Sequence, residues 1–400
     1  MAIEIRARYG WDGETGGGGS PVAVTFEGGR ILRRTVGAPL GGPAAERILD
    51  FGEATLLPGL VDMHTHLGIN HRRGDIVGQM RDAPVPHILA GSANLTDDLR
   101  SGVTTAKLNG DRELFDVQFR QSVRDGGAEA PRLVVSGRGI KSSRCTGGVV
   151  ATRIADEPAA VAECVRENLA AGVDWIKLFA SGRIFGELAE VLQPYYGAPQ
   201  IAVAAELAHA AGKRISVHCF GGEAADACLS AGVDAIDHGW LLTDRQLERM
   251  AARGTRLCPT LGVLTHPEGV LAHLVGGPAR DAAQRRIDEI RATVGRALAA
   301  EVPLVVGTDG MHGELAYELA LLQDLGGRPA DLLRAATGGA AALLGSAEEI
   351  ATLRPGARAD LVVVAGDATA DLGCLSKPLL VVKDGRIIRH AGASPAYRTN

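Results

Sequence analysis

Five short segments of the sequence each end an apolar run with side chains that can bind metal ions. They are Val61–His66, Trp175–Lys177, Ile215–His218, Ala235–His238 and Val305–Asp309. Residues two apart on a strand point to the same face, so His64 and His66 could bind one ion through imidazole nitrogen. A parallel barrel builds its active site from the C-terminal ends of its strands, where ligands from separate strands converge. The pattern therefore indicates a metal-dependent hydrolase.

The elements that would position these side chains follow a repeated unit, a helix that ends in glycine and leads directly into a strand. The glycines are Gly102, Gly172, Gly212, Gly232 and Gly254. Glycine just past a helix adopts the left-handed conformation that closes the last turn, and repetition of this unit predicts βαβ crossovers. Eight strands are predicted, at 61–66, 103–108, 132–137, 174–179, 214–219, 234–238, 256–260 and 303–309. Eight strands fit an α/β fold of the (β/α)8 TIM-barrel type over residues 59–354.

Two of the intervening helices have clear start signals. Asp156-Glu157-Pro158 places an N-cap before a proline in the first turn, and an apolar stripe follows from Val161 to Leu169. Thr243 and Gln246 have the spacing of a capping box. These signals predict helices packed around the barrel.

The ends of the chain have a different pattern. Residues 1–58 and 355–400 alternate polar and apolar side chains between glycine-containing turns, which is typical of strands. We predict that both termini pair into one small, discontinuous β-sandwich domain.

Composition excludes several classes of function. The 400 residues carry a formal net charge of −5, with no long run of either sign, so nucleic acid and anionic membranes are poor partners. Neither a signal peptide nor an uninterrupted apolar stretch of membrane-spanning length is visible, which predicts a cytoplasmic protein. Six cysteines without a C-x-x-C pair are expected to be reduced. The expected partner is a small-molecule substrate, and the expected assembly is a homo-oligomer.

The metal-binding segments and their surroundings resemble the amidohydrolase superfamily over about the whole chain. The resemblance is closest to the imidazolonepropionase-like and prolidase-like (Xaa-Pro dipeptidase-like) branch. It is carried by Leu57–His66, Asp174–Lys177 with Ser181-Gly182, Val217-His218, Gly232–Gly239, Gly307–Asp309 and Pro355–Val362. As a set these motifs are highly specific.

The resemblance implies two divalent metal ions and a Lys177 that carries a carboxyl group from CO2. His64 and His66 would hold the more buried ion with Asp309, and His218 and His238 the other. The Lys177 carbamate would bridge the two ions, because an ammonium has no lone pair with which to bind a cation. Asp309 would be catalytic. It would take a proton from the water that bridges the two metal ions, which leaves a hydroxide, and would pass that proton to the leaving nitrogen. The ligand set suits zinc, although manganese, cobalt or iron fit similar ligands.

Two positions depart from the prolidase-like pattern. Val149 follows Thr146-Gly147-Gly148 where relatives usually have histidine, and Phe220 stands where many have tyrosine. The tyrosine hydroxyl would be a donor to the substrate carbonyl. These differences weaken the case for dipeptidase activity.

Basic residues accumulate near the predicted strand ends. Candidates for substrate binding are Lys107, Arg138, Arg144 and Arg183, with Arg144 and Arg183 preferred because a guanidinium binds a carboxylate through two hydrogen bonds. His312, just past Asp309, fits either substrate contact or loop packing.

The leading functional hypothesis is hydrolysis of an amide-type C–N bond in a small carboxylate-bearing molecule. The bond could be open-chain or cyclic, and it could be a peptide bond or another amide. A heterocycle deaminase is an alternative, but such branches typically use one metal and lack the lysine. Ester, lactone or phosphoester cleavage by the same hydroxide also stays open. A catalytically inactive assembly protein would tend to lose ligands, whereas all six positions are filled here.

Overall fold

We describe a computed structural model of the chain for residues 1–16, 20–37, 45–145, 153–182, 188–273 and 278–391. The chain divides into two compact units. One contains Met1–Asp62, Thr96–Thr105 and the described residues from Gly313 onward. The other contains the described residues of Met63–Leu95 and Ala106–His312. All six predicted metal ligands lie in the second unit.

Strands and helices alternate through the middle of the chain, with strands gathered at both ends. The strands are β1 (Ile3–Ala7), β2 (Tyr9–Gly10), β3 (Val22–Glu27), β4 (Arg30–Val36), β5 (Arg47–Asp50), β6 (Ala54–Pro58), β7 (Leu60–Thr65), β8 (Val103–Leu108), β9 (Arg132–Val135), β10 (Ile140–Lys141), β11 (Arg153–Ile154), β12 (Trp175–Phe179), β13 (Arg214–Gly221), β14 (Ala235–Leu241), β15 (Arg256–Cys258), β16 (Leu361–Ala365), β17 (Pro378–Lys383) and β18 (Arg386–His390). The α-helices are α1 (Ile76–Gln79), α2 (Pro84–Arg100), α3 (Phe115–Arg124), α4 (Pro158–Ala170), α5 (Leu188–Val191), α6 (Ala198–Ala210), α7 (Gly222–Ala231), α8 (Asp244–Arg253), α9 (Gly262–Thr265), α10 (Pro278–Ala299), α11 (Leu315–Asp324), α12 (Pro329–Ala335) and α13 (Gly338–Leu343). Three 3-10 helices cover His71–Arg73, Val270–His273 and Leu372–Ser376. Among the described helices, none is long and apolar enough to cross a membrane.

The first unit contains two sheets built from the strand-patterned ends of the chain. Their strand orders are β4-β3-β1-β5 and β18-β17-β16-β6-β2. β16 is antiparallel to both β6 and β17, so segments from both ends of the chain share a sheet. Alternate residues of the two sheets enter one buried cluster, which includes Ile5, Val24, Leu56, Val363 and Val382. The β-sandwich domain with boundaries at residues 58 and 355 stays a prediction.

The middle of the chain forms two further sheets, which carry four of the predicted ligands, and the strands from β10 to β15 pair in parallel. The strand orders are β7-β8-β9 and β11-β10-β12-β13-β14-β15. Parallel pairing sets Lys177 beside Ser216, and His218 beside Asp237. Seven of the eight predicted strands are present, with boundaries shifted by at most three residues. The ligands on β12, β13 and β14 therefore lie on adjacent strands.

The eighth predicted strand, 303–309, is an extended segment with a single bridge between Leu304 and Leu257. Pro303 has no N–H to donate, which prevents a regular ladder at the start of the segment. The backbone still bonds to both neighbours. On one side Leu257 N donates to Pro303 O at 3.0 Å, and on the other Met63 N donates to Val306 O at 2.8 Å. The segment is held where a strand was predicted.

The predicted glycine helix ends and the capping box are confirmed, whereas the predicted N-cap of α4 makes no side-chain capping bond. All five glycines of the repeated unit have φ between +66° and +102°, as the left-handed helix ends require. Thr243 and Gln246 form the predicted capping box. Helix α4 begins after Glu157 with Pro158 in its first turn, while the Asp156 carboxylate accepts a hydrogen bond from Ser142 Oγ at 2.6 Å.

Candidate metal centre

The first half of the centre consists of His64, His66 and Asp309. His66 Nε2 lies 3.0 Å, and His64 Nε2 3.3 Å, from Asp309 Oδ1. The potential ligand atoms of these three residues all lie within 4.8 Å of one another. Backbone contact fixes the arrangement, because Asp309 N donates to His64 O at 2.6 Å. Two imidazoles and a carboxylate at this spacing are a fitting ligand set for one divalent ion.

The second half consists of His218 and His238, which lie next to the first. Their ring centroids are 4.6 Å apart, and the His238 ring is 5.2 Å from that of His64. The side chain of Lys177 is buried and Nζ contacts the carboxylate of Asp237. The other Asp237 oxygen lies 3.1 Å from His64 Nδ1, so Asp237 connects the lysine to the histidines. The structure thus brings all six predicted residues into one cluster.

The backbone at the strand ends has an unusual conformation. His238, Thr260 and Asp309 have φ of 72°, 52° and 52°, in the left-handed region that costs a non-glycine residue about 1–3 kcal/mol. At His238 this breaks the alternation of strand side chains, so Asp237 and His238 both contact the centre. Sequence reasoning missed Asp237 as a functional residue for this reason.

Gly307 allows the segment 303–309 to lie against β7. A Cβ added at this glycine would lie 2.5 Å from His64 Cβ and 2.6 Å from His64 N, a distance that real Cβ atoms do not reach. Glycine at this position is therefore required for Asp309 to meet His64 and His66.

Burial and neighbouring charges set the protonation states. Burial lowers the pKa of His66 and His238, and burial together with the Lys177 ammonium lowers the pKa of His218 to about 4. Burial alone would raise the pKa of Asp309, but the His64 and His66 rings hold it well below its usual range. His64 differs, since the Asp237 and Asp309 carboxylates outweigh burial and raise its pKa. Three neutral imidazoles and an ionised carboxylate are in the forms that bind metal ions.

The residues fit a metal centre on a further observation. A histidine ligand usually donates its other ring nitrogen to an oxygen, which fixes the ring. His64 Nδ1 has Asp237, His238 Nδ1 lies 2.8 Å from Thr260 Oγ1, and His218 Nε2 lies 3.3 Å from Gly182 O. Each of these rings therefore has one nitrogen anchored and the other available.

Replacing Asp237 with asparagine is expected to weaken zinc binding by about 10- to 100-fold, the usual effect of losing an outer-shell partner. The amide would present a poorer acceptor to His64 Nδ1 and would leave the positive charge of Lys177 unbalanced. Zinc dissociation constants of the metal-free protein, measured by competition with a chromophoric chelator, test this prediction.

Asp244→Asn is the matched control, because Asp244 is an exposed carboxylate that pairs with Arg296 on the outside of helix α8. Zinc affinity equal in Asp237→Asn, Asp244→Asn and the unaltered protein would contradict the anchoring role.

The predicted substrate-binding cations lie in different surroundings. Lys107 is buried, with Nζ against Asn109 Oδ1 and 3.1 Å from Ser216 Oγ. The Arg138 guanidinium lies 3.7 Å from Glu113 and 3.8 Å from Glu167. The two cations have different partners. Their roles in substrate binding stay predictions.

The remaining candidates include one that the structure does not describe. Arg144 is exposed and its guanidinium donates to Tyr195 O at 2.5 Å. His312 is fully buried with Nε2 2.9 Å from Ile69 O, an arrangement of loop packing. Arg183 and Val149 lie outside the described residues. A role for Arg144, Arg183 and His312 in substrate binding stays a prediction.

Phe220 belongs to an aromatic wall beside the second half of the centre. Its ring stacks on Trp240 at 4.9 Å with an interplanar angle of 17°, and it meets the edge of His218 at 4.7 Å. Trp240 Nε1 donates to Pro259 O. The wall therefore supplies apolar surface here and offers no hydroxyl.

Comparison with known proteins gives matches over most of the chain. A sequence profile described as "Amidohydrolase family" matches residues 55–388. An uncharacterised protein of Mycobacterium tuberculosis is 32% identical over 364 residues, which cover 87% of this chain and 88% of the relative. An imidazolonepropionase of Cutibacterium acnes is 27% identical, with 92% and 90% covered. The crystal structure of a Xaa-Pro dipeptidase with bound methionine in the active site superimposes with a TM-score of 0.85 at 23% identity, covering 97% of this chain and 99% of that one. This likeness confirms the TIM-barrel-type α/β fold.

Proposed function

Because this chain belongs to the amidohydrolase family, we propose that it is a metal-dependent hydrolase that cleaves an amide-type C–N bond, open-chain or cyclic, in a small carboxylate-bearing molecule. The predicted membership of the superfamily is confirmed, and relatives named imidazolonepropionase and Xaa-Pro dipeptidase agree with the predicted branch. The observation that carries the proposal is the convergence of four histidines, Asp309 and Lys177 in one buried cluster.

We infer that a closed eight-stranded barrel holds this cluster. The segment 303–309 supports closure, because its backbone bonds to β15 on one side and to β7 on the other. Asp174 N also donates to Val135 O at 2.9 Å, which connects β9 to the start of β12. The shared core of the two sheets at the chain ends likewise supports a β-sandwich formed by both ends of the chain.

In this proposal His64, His66 and Asp309 would hold one divalent ion, and His218 and His238 would hold the other. Lys177 takes part only after Nζ has lost its proton and taken up CO2 as a carbamate, since an ammonium offers no lone pair. Zinc is the first choice for the imidazole and carboxylate donors. When bound, such ions polarise a carbonyl group and lower the pKa of water to about 7.

The protein side chains then divide the remaining work. Asp309 is ionised, so a carboxylate oxygen can accept the proton of the attacking water and pass it to the leaving nitrogen. Phe220 and Trp240 exclude water from the side of the centre next to His218. Substrate orientation would depend on cations at the strand ends, with Arg144 and Arg183 the preferred pair.

A substrate panel tests the proposal directly. The zinc-loaded protein should hydrolyse at least one compound among N-acyl amino acids, dipeptides, cyclic ureas, cyclic imides and lactones, and amides or imides should be cleaved faster than lactones. Faster lactone cleavage would favour the esterase alternative, and deamination with one zinc per chain would favour the deaminase. A fully loaded protein inert on the whole panel would support the assembly role.

A further inference from the structure

His66 differs from the other three histidines of the centre in its outer nitrogen. His64, His218 and His238 each have one ring nitrogen next to an oxygen of a residue outside the six predicted ligands. His66 Nε2 faces Asp309, whereas His66 Nδ1 is buried and has no hydrogen-bond partner among the described residues. A neutral imidazole that binds a metal through Nε2 carries its proton on Nδ1. His66 therefore presents a buried donor that needs an acceptor.

A small cavity borders His66. It is lined by His66, Gly68, Met80, His87, Asp111 and Arg112, among others, and its volume is about 10 Å³. This is the space that one buried water molecule requires, provided that two to four polar partners surround it. Arg112 Nε is also buried without a partner among the described residues. The cavity thus has about the size of one water molecule, and its mainly apolar lining includes the polar residues His66, His87, Asp111 and Arg112.

Asp111 and His87 form a buried pair on the wall of the cavity. His87 Nε2 lies 2.9 Å and 3.1 Å from the two carboxylate oxygens of Asp111. Asp111 Oδ1 also accepts the Arg112 N–H at 2.6 Å. The His87 ring packs on the main chain two residues from His66, since a Cβ added at Gly68 would lie 2.2 Å from His87 Nδ1. The carboxylate is therefore rigidly placed.

We propose that one buried water molecule in this cavity accepts the Nδ1–H of His66 and donates to the Asp111 carboxylate, which makes Asp111 and His87 positioning residues for the ligand His66. The inference rests on the proposed metal centre. It gives His66 the anchor that Asp237, Thr260 and Gly182 give to the other three rings. Neither Asp111 nor His87 touches the reacting atoms, so both act through the orientation of one imidazole.

The test is a double-mutant cycle on zinc affinity. Asp111→Asn is introduced into the unaltered protein and into His66→Ala, and the zinc dissociation constants of the metal-free proteins are measured by chelator competition. Asp111→Asn should weaken one zinc-binding step by about 10- to 100-fold in the unaltered protein. In the His66→Ala background it should change the remaining zinc affinity by less than about 2-fold, because coupled residues are not additive.

A control and a second variant complete the design. His209→Asn removes an exposed histidine–carboxylate pair on helix α6, in which His209 Nε2 lies 2.9 Å from Asp234, and should leave zinc affinity unchanged. If Asp111→Asn does not fold, His87→Asn takes its place in the same cycle. Equal losses in both backgrounds, or no loss in either, would overturn the inference while the proposed function stands. Failure of the unaltered protein to bind zinc would overturn both.

Discussion

Replacing Asp309 with asparagine is expected to lower kcat/KM by roughly 10²- to 10⁴-fold, the range that a positioned acid–base group contributes. An amide has nearly the same shape as the carboxylate and keeps an oxygen at the position of Asp309 Oδ1, which lies 3.3 Å from His64 Nε2 and 3.0 Å from His66 Nε2. It cannot take up the proton of the attacking water. Steady-state kinetics on the best substrate of the panel measure the loss, and metal analysis of the same sample measures zinc content.

Asp288→Asn is the matched control, because this carboxylate is exposed on helix α10 and accepts a hydrogen bond from Gln284. It should retain full activity. An Asp309→Asn protein with full turnover and two zinc ions would show that another group moves the proton. Loss of zinc together with turnover would instead show that Asp309 is chiefly a ligand.

Replacing Lys177 with methionine should remove turnover by more than the 10- to 100-fold that loss of an outer-shell partner costs, and zinc content should fall from two ions per chain towards one. Methionine keeps the length of the side chain but cannot take up CO2. The substitution also leaves the buried Asp237 carboxylate without the Lys177 charge that helps to hold its pKa well below the usual range. Kinetics and metal analysis report the two effects separately.

Lys213→Met provides the comparison, since Lys213 lies on the connection before β13, outside the centre. It should bind two zinc ions and turn over substrate normally. Retention of two zinc ions and of activity in Lys177→Met would refute the bridging role.

The convergence of the ligands could be predicted from the sequence because it depends on regular geometry. His64 and His66 are two apart on one strand, and parallel pairing places Lys177, His218 and His238 on adjacent strands. Strand alternation and the position of each ligand within its strand were sufficient for this result. The position of Asp309 was predicted from the end of an apolar segment in the same way, although residues 303–309 form no regular strand.

The features that the sequence did not reveal depend on local departures from regular geometry. Alternation predicts that Asp237 points away from the centre, and only the left-handed backbone at His238 turns both residues inwards. The Asp111–His87 pair connects the segment after β8 to helix α2. The two residues are 24 positions apart in the sequence, and their spacing does not predict the contact. Lys107 looked like a residue of the barrel mouth, yet its long side chain bonds in the interior to Ser216. Long flexible side chains are placed by packing, which sequence patterns do not specify.

The crystal structure of protein prepared with zinc and bicarbonate tests the central claim most directly. We expect density for two ions held by His64, His66, His218, His238 and Asp309, with a carboxylated Lys177 between them. An unmodified Lys177 that keeps its contact with Asp237 while zinc is bound would contradict the account.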